Sequence, residues 1–120
     1  MIHHIALETA PHLLAEESHF WQSVGFVEVP LPSGVNGGHS WLEREGTQIH
    51  LMADPEPVVP LRGHVAVVAP DFEATLQRLG EAGFEVREER ELWGQRRAKV
   101  LTPAGHTVEL MAAPPAPAAG

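Results

Sequence analysis

Cysteine is absent from this chain of 120 residues. The absence excludes disulfide bonds and thiolate metal sites. Any metal site must therefore be built from histidine, aspartate and glutamate. A chain without cysteine also fits a reducing compartment, and we expect a cytoplasmic protein.

Long apolar runs are also missing. No run approaches the ~20 residues that a membrane-spanning helix requires. The first ten residues, MIHHIALETA, have neither the basic start nor the apolar centre of a secretory signal. We therefore expect no membrane partner.

Positive charge is scarce. The chain has eight Lys and Arg residues and sixteen Asp and Glu residues, which gives a formal net charge of −8. The basic residues cluster only at Arg96, Arg97 and Lys99. Such a surface repels nucleic acid, so we exclude nucleic-acid binding as a function.

The remaining composition is that of an ordinary globular protein, with 43% hydrophobic and 20% charged residues. A chain of this length can bury one core, but it is too short for two independent domains. We therefore expect one compact domain.

The sequence repeats itself at an offset of 58 to 60 residues. The segment GTQIHLM at 46–52 resembles GHTVELM at 105–111. HHIAL resembles GHVAV, and GFVEV resembles GFEVR, in the same order along the chain. Such a repeat predicts two equivalent modules. The predicted organisation is a first module 1–54, a proline-rich linker 55–61, a second module 62–113 and a disordered tail 114–120.

Each module is predicted to have the order βαβββ. Alternating segments such as IHHIALE and TQIHLMA are typical of strands. A helix is expected from Pro11 to Val24, with Gly25 after its end, and a second helix after Asp71 as N-cap. The predicted fold class is α+β, with two helices and about eight strands.

Four polar residues occupy matching places in the repeat: His4 and His50 in the first module, His64 and Glu109 in the second. Because strand side chains alternate, each is expected on the face opposite the flanking aliphatic residues. If the two modules bring these faces together, three imidazoles and a carboxylate converge. Such a set suits a divalent metal ion such as Zn, Ni, Mn or Fe, without preference among them.

The βαβββ repeat and the motifs HIAL, IHL, HVAVV and PAGHTVEL resemble the vicinal oxygen chelate superfamily. Its members include glyoxalase I, extradiol dioxygenases, fosfomycin-resistance proteins and bleomycin-binding proteins. The resemblance implies a cup-shaped, rolled, eight-stranded mixed sheet with the two helices outside. It also implies His4, His50, His64 and Glu109 as metal ligands, although glyoxalases commonly have glutamate or glutamine at the position of His50.

The resemblance further implies a metal-dependent enzyme of glyoxalase-like lyase or isomerase type, acting on a small molecule with adjacent oxygens. Glu109 is the expected catalytic base, and Arg97 and Trp41 are candidate substrate contacts. A surface ion pair for Arg97 and a core position for Trp41 are the simpler interpretations. Two alternatives stay open: an Fe(II) extradiol-type dioxygenase and a protein that sequesters a drug-like compound.

The other histidines are not expected to be ligands. His12 and His19 fall on the first helix, and His3 has the parity of the aliphatic face. His39 follows a glycine-rich loop and lies two residues before Trp41. The three prolines of the segment DPEPVVPLR stiffen the linker, and relatives complete the cup within one chain or across two. We therefore expect a homodimer.

Overall fold

The computed structural model describes residues 1–117, so residues 118–120 of the predicted tail lie outside the described part. Residues 114–117 belong to neither a helix nor a strand. The elements follow the predicted order. They are β1 (His4–Thr9), a 3₁₀ turn (Pro11–Leu13), α1 (Leu14–Ser23), β2 (Val27–Val29), β3 (His39–Arg44), β4 (Thr47–Ala53), β5 (Val65–Val68), α2 (Phe72–Glu81), β6 (Val86–Leu92), β7 (Gln95–Leu101) and β8 (Thr107–Met111).

The chain divides into two compact units. The first contains Met1–Pro60 with Pro103–Gly105, and the second contains Leu61–Thr102 with the residues from His106 onward. Each unit holds one helix and one four-stranded mixed sheet, with strand orders β1-β4-β3-β2 and β5-β8-β7-β6. The predicted α+β class and the repeated βαβββ order are confirmed.

The two sheets have the same register as well as the same order. In the first unit β1 runs parallel to β4 and pairs Ala6 with His50. In the second unit β5 runs parallel to β8 and pairs Ala66 with Glu109. The repeat seen in the sequence is therefore a repeat of hydrogen-bonded positions, and His50 and Glu109 occupy equivalent places.

The core of the first unit lies between α1 and one face of its sheet. Phe20 and Trp21 of α1 are fully buried, and so are Leu42 and Leu51 of the strands. Pro11 begins a 3₁₀ turn rather than α-helix, so the predicted helix starts with a tighter first turn. After the helix the chain turns at Gly25, whose φ of 101° is a conformation that residues with a Cβ rarely adopt.

The second unit repeats this packing with α2. Leu79 of the helix is buried, and so are Ala98, Val108 and Leu110 of the strands. Asp71 is the N-cap residue as predicted, but its carboxylate accepts hydrogen bonds from Thr75 Oγ1 and an Arg78 amine instead of capping the backbone. The carbonyl of Asp71 accepts the Thr75 N–H, which starts the helix.

Within residues 1–117, neither helix has the length and apolar character that crossing a bilayer would require.

Candidate metal site

The candidate ligands of the first unit lie on the sheet face opposite α1. His50 pairs with Ala6 on one side and with Trp41 on the other, so these three side chains share a face. Ile49 and Leu51 point the other way, into the core. The alternation predicted from the sequence therefore holds in β4.

His50 is the centre of a stack of three rings. Its imidazole lies parallel to the Trp41 ring, with centroids 3.8 Å apart and 2° between the planes. The His4 ring stacks with it at 4.0 Å and 11°. Only 6% of His50 is exposed. The neighbouring rings therefore restrict its rotation, which holds a potential ligand in place before anything binds.

A hydrogen-bond relay fixes the protonation of His50. The Gln48 amide donates to Glu43 Oε1 at 3.0 Å, which turns Gln48 Oε1 towards His50 Nε2 at 2.7 Å. An amide oxygen can only accept, so His50 Nε2 must carry the proton. Nδ1 of the neutral ring keeps its lone pair for a ligand bond.

The environment of His50 also favours the neutral ring. Burial, and then the nearby His4 and His3, lower the pKa of His50 below its ordinary value of 6.5. A metal ion binds the neutral imidazole, so a lowered pKa reduces the competition from protons.

His3 lies beside this cluster, contrary to the prediction that it follows the aliphatic face. Its Nδ1 is 3.0 Å from Nδ1 of His4. Ligand atoms of His3, His4 and His50 all lie within 4.8 Å of one another. The prediction was wrong because β1 begins at His4, so strand alternation does not extend to His3.

The candidate ligands of the second unit form a histidine–carboxylate pair. His64 Nε2 lies 3.1 Å from Glu109 Oε1, and His64 Nδ1 lies 3.0 Å from the carbonyl oxygen of Arg62. Both neighbouring oxygens can only accept when Glu109 is ionised. His64 Nδ1–H donates to the carbonyl of Arg62. A cation, either a proton or a metal ion, is therefore needed between Nε2 and the carboxylate of Glu109. The donors present therefore fit a metal ion.

Arg97 lies next to this pair. Its guanidinium Nη1 is 3.9 Å from Glu109 Oε2, and its Nε donates to the carbonyl of Arg90 at 3.0 Å. Lys99 pairs with Glu109 across the strands, so it shares the same sheet face. Arg97 thus has the ion-pair neighbour that the simpler interpretation expects, and it also brings positive charge to the candidate base.

Trp41 and His39 line a cleft of about 290 Å³ in the first unit, together with Val29, Pro30 and Leu31 among others. His39 Nδ1 is buried and has no hydrogen-bond partner among residues 1–117. His12 and His19 are exposed, in the 3₁₀ turn and on α1. The cleft gives Trp41 a surface that is not core packing.

The structure thus brings His4 to His50 in one unit and His64 to Glu109 in the other. Sequence reasoning missed His3, Gln48 and Glu43. The parity of positions 48 and 50 placed Gln48 on the His50 face, but its partners depend on how the strands are aligned. The segment TQIHLM thus indicates the face of Gln48, but it does not identify Glu43 as its partner without the strand register.

A model of the glyoxalase/bleomycin resistance protein/dioxygenase superfamily matches residues 12–110. The chain therefore belongs to that superfamily, and the resemblance inferred from its motifs is confirmed. A comparison with curated proteins finds no match.

Solved structures share the fold at low sequence identity. A Bacillus anthracis protein, provisionally described as a glyoxalase family protein, is 23% identical with a TM-score of 0.83, covering 92% of this chain and 93% of that one. The antibiotic binding protein TnmS3 from Streptomyces sp. CB03234 is 18% identical with a TM-score of 0.71, covering 92% and 93%. A mutant of the fosfomycin resistance protein FosX from Listeria monocytogenes, complexed with Mn(II) and 1S,2S-dihydroxypropylphosphonic acid, is 18% identical with a TM-score of 0.76, covering 93% and 91%.

Proposed function

We propose that this protein is a metal-dependent enzyme of glyoxalase-like lyase or isomerase type, acting on a small molecule with two adjacent oxygens. The proposed ligands of one divalent ion (Zn, Ni, Mn or Fe) are His4, His50, His64 and Glu109. The observation that carries the proposal is that His50 and Glu109 occupy equivalent register positions, and that each has a histidine beside it. The Mn(II) complex of the FosX relative supports it.

A bound metal ion would act as a Lewis acid and stabilise an oxyanion that develops on the substrate. Glu109 is the only carboxylate of the four proposed ligands, so it is the group that can accept a substrate proton. A guanidinium nitrogen of Arg97 lies 3.9 Å from Oε2 of this carboxylate. The same guanidinium is suited to bind an anionic group of the substrate.

The first unit contributes positioning. Trp41 and His4 hold the His50 ring between them, and Gln48 fixes its tautomer. Trp41 also lines the cleft, together with Leu31 and His39. A substrate in this cleft would contact an apolar wall and a polar ring.

Metal content tests the proposal. Protein without a histidine tag, reconstituted with Zn²⁺, Ni²⁺, Mn²⁺ or Fe²⁺, should hold about one ion per site. Glu109→Gln should weaken binding and abolish turnover of an α-oxo substrate or thiol adduct, because the amide cannot replace an anionic ligand and base. Glu91→Gln, an exposed carboxylate on β6, is the matched control and should change neither. A native preparation that binds none of the four metals would refute the proposal.

His50 separates the lyase or isomerase from the dioxygenase. An Fe(II) dioxygenase of the two-histidine, one-carboxylate type would use His4, His64 and Glu109, so His50→Ala should leave it appreciable iron. In the proposed enzyme the same change should weaken metal binding and stop turnover. Oxygen uptake with catechols, after anaerobic loading with Fe(II), is the complementary assay.

A second candidate is a protein that sequesters a planar or hydrophobic compound. The cleft beside Trp41 favours it, and the TnmS3 relative is an antibiotic binding protein. Such compounds should then still quench the tryptophan fluorescence of chelator-treated protein. Trp41→Ala should remove this response. Quenching that requires metal would favour the enzyme instead.

We also propose a cytoplasmic homodimer with two metal sites, completed within each chain or by exchange of units between chains. Exchange of equivalent elements has a low cost because the two modules are similar. Refolding His4→Ala together with Glu109→Ala should restore a fraction of the metal sites only if sites are shared. A monomer by light scattering would contradict the dimer.

A further inference from the structure

We propose that Arg87 and Lys99 of the second unit form a binding site for the carboxylate of a small organic acid, and that the neighbouring Leu101 contacts the apolar part of the same ligand. The inference does not rest on the proposed enzymatic function, because none of these residues is a proposed metal ligand or the proposed base.

These residues line a cleft on the sheet face opposite α2, which we call the Lys99 cleft. Lys99 pairs with Arg87 on one side and with Glu109 on the other, so all three share this face. The cleft has a volume of about 200 Å³, which is small for a drug-sized compound and suits a compact ligand. Its lining residues are Glu85, Arg87, Lys99, Val100, Leu101 and Thr107.

Lys99 contributes a cation that residues 1–117 leave unpaired. It is half-buried, and it forms no hydrogen bond or ion pair within that part of the chain. The carboxylate of Glu109, across the strands, lies 3.1 Å from His64 instead. Sixteen acidic residues are available to eight Lys and Arg residues, so the missing partner is not a matter of composition. An anionic ligand would supply that partner.

Arg87 places a second cation directly beside Lys99. The two residues are opposite each other on antiparallel strands, where like charges destabilise a sheet. Arg87 is paired with Glu89 at 3.1 Å, but 74% of its side chain is exposed. An exposed ion pair contributes little to stability, so the guanidinium can exchange this contact for a ligand. An anion bound between Arg87 and Lys99 would replace their repulsion with attraction.

The other walls of the Lys99 cleft indicate the class of anion. Two cations and the Glu85 carboxylate leave one net positive charge, which matches a monoanion better than a phosphate dianion. Leu101 is 57% exposed and presents an apolar surface in the same cleft. The Thr107 hydroxyl has no partner within residues 1–117, so it can donate to a carboxylate oxygen. A monocarboxylate with an aliphatic or aromatic part fits all of these groups.

Hexanoate, acetate and the neutral hexan-1-ol test the site on the metal-free full chain, with amide chemical shifts as the readout. Hexanoate should shift the amides of Arg87, Lys99 and Thr107, and it should bind more tightly than the other two compounds. Lys99→Met should weaken hexanoate binding about tenfold, and Lys99→Arg should keep it within about threefold. Glu85→Gln should strengthen it, because a repelling carboxylate is removed. Arg90→Gln removes an exposed cation of β6 outside the cleft, so this matched control should leave the affinity unchanged.

Two further measurements separate ligand binding from a structural role. Leu101→Thr should weaken hexanoate binding but leave acetate binding unchanged, because only hexanoate is long enough to cover the apolar wall. Lys99→Met should not lower the stability of the ligand-free protein in urea, because Lys99 makes no ion pair or hydrogen bond within residues 1–117.

The absence of saturable hexanoate binding by the folded chain would overturn the inference. Equal hexanoate affinities of the Lys99→Met and Arg90→Gln proteins would overturn it as well. Inorganic phosphate that binds more tightly than hexanoate would overturn the proposed class of ligand. The proposed enzymatic function is tested by metal content and depends on other residues, so the two proposals fail by different results.

Discussion

Replacing Gln48 by leucine tests whether the relay through Glu43 and Gln48 sets the metal affinity of His50. Leucine keeps most of the side-chain volume but can neither donate nor accept. The change therefore removes the 2.7 Å bond to His50 and the 3.0 Å bond to Glu43 together. Glu43 is half-buried and can turn to water, whereas the buried His50 Nε2–H loses its acceptor.

The expected loss follows from these two contacts. A hydrogen bond contributes about 0.5–1.5 kcal/mol, and a buried donor without an acceptor costs about 1–3 kcal/mol. Without its acceptor the His50 ring can exchange tautomers or turn, so Nδ1 is no longer reserved for a ligand. Losing the outer partner of a metal ligand typically lowers affinity about 10–100-fold. That factor corresponds to about 1.4–2.7 kcal/mol of binding free energy.

Competition with a chromophoric chelator gives the metal affinity, and urea unfolding of the metal-free protein gives the stability. Gln48→Leu should lower both. Gln48→Glu is the matched variant, because its carboxylate still accepts from His50 while losing the donor to Glu43. It should lower stability through repulsion with Glu43 but keep metal affinity within about tenfold of the original. A folded Gln48→Leu protein with unchanged metal affinity would refute the role of the relay.

Three further predictions concern stability, measured by urea unfolding of metal-free protein. Burial lowers the pKa of His50 below 6.5, so the unfolded chain takes up the proton first. Stability should therefore fall as pH drops from 6.5 through the folded pKa, and His50→Gln should reduce this slope. Gly25→Ala should cost about 1–2 kcal/mol because its φ is 101°, whereas Gly37→Ala, in open space, should be nearly neutral. Leu51→Ala, fully buried, should cost about 2–5 kcal/mol. Leu61→Ala, 97% exposed, should stay within about 0.5 kcal/mol, and equal losses for both leucines would contradict the core assignment.

The sequence was sufficient for the order of the elements and for the proximity of His4 to His50 and of His64 to Glu109. Alternation of aliphatic and polar residues fixes which side chains share a face, and the repeat fixes which strands are equivalent. Those two patterns placed His50 near His4 and Glu109 near His64 before any strand pairing was known. Glycines at helix ends and turns, such as Gly25 and Gly46, marked the boundaries well.

The rest of the site depends on quantities that a single sequence does not specify. The relay requires Glu43 opposite Gln48, and that pairing follows from the register of β3 on β4. Strand parity cannot supply a register between strands. His3 was misplaced for another reason, because the alternation was extended two residues before β1 begins.

The matched registers also make the two units interchangeable templates for design. Beside His50 stands Trp41, and at the equivalent place beside Glu109 stands Lys99. An aromatic ring covers the imidazole of His50, and an ammonium group shares the sheet face of the Glu109 carboxylate. Exchanging such partners in pairs would transfer the electrostatic character of one unit to the other without altering the hydrogen-bonded ladder. One scaffold, copied once, thus offers two separately adjustable environments for a metal ion or a substrate.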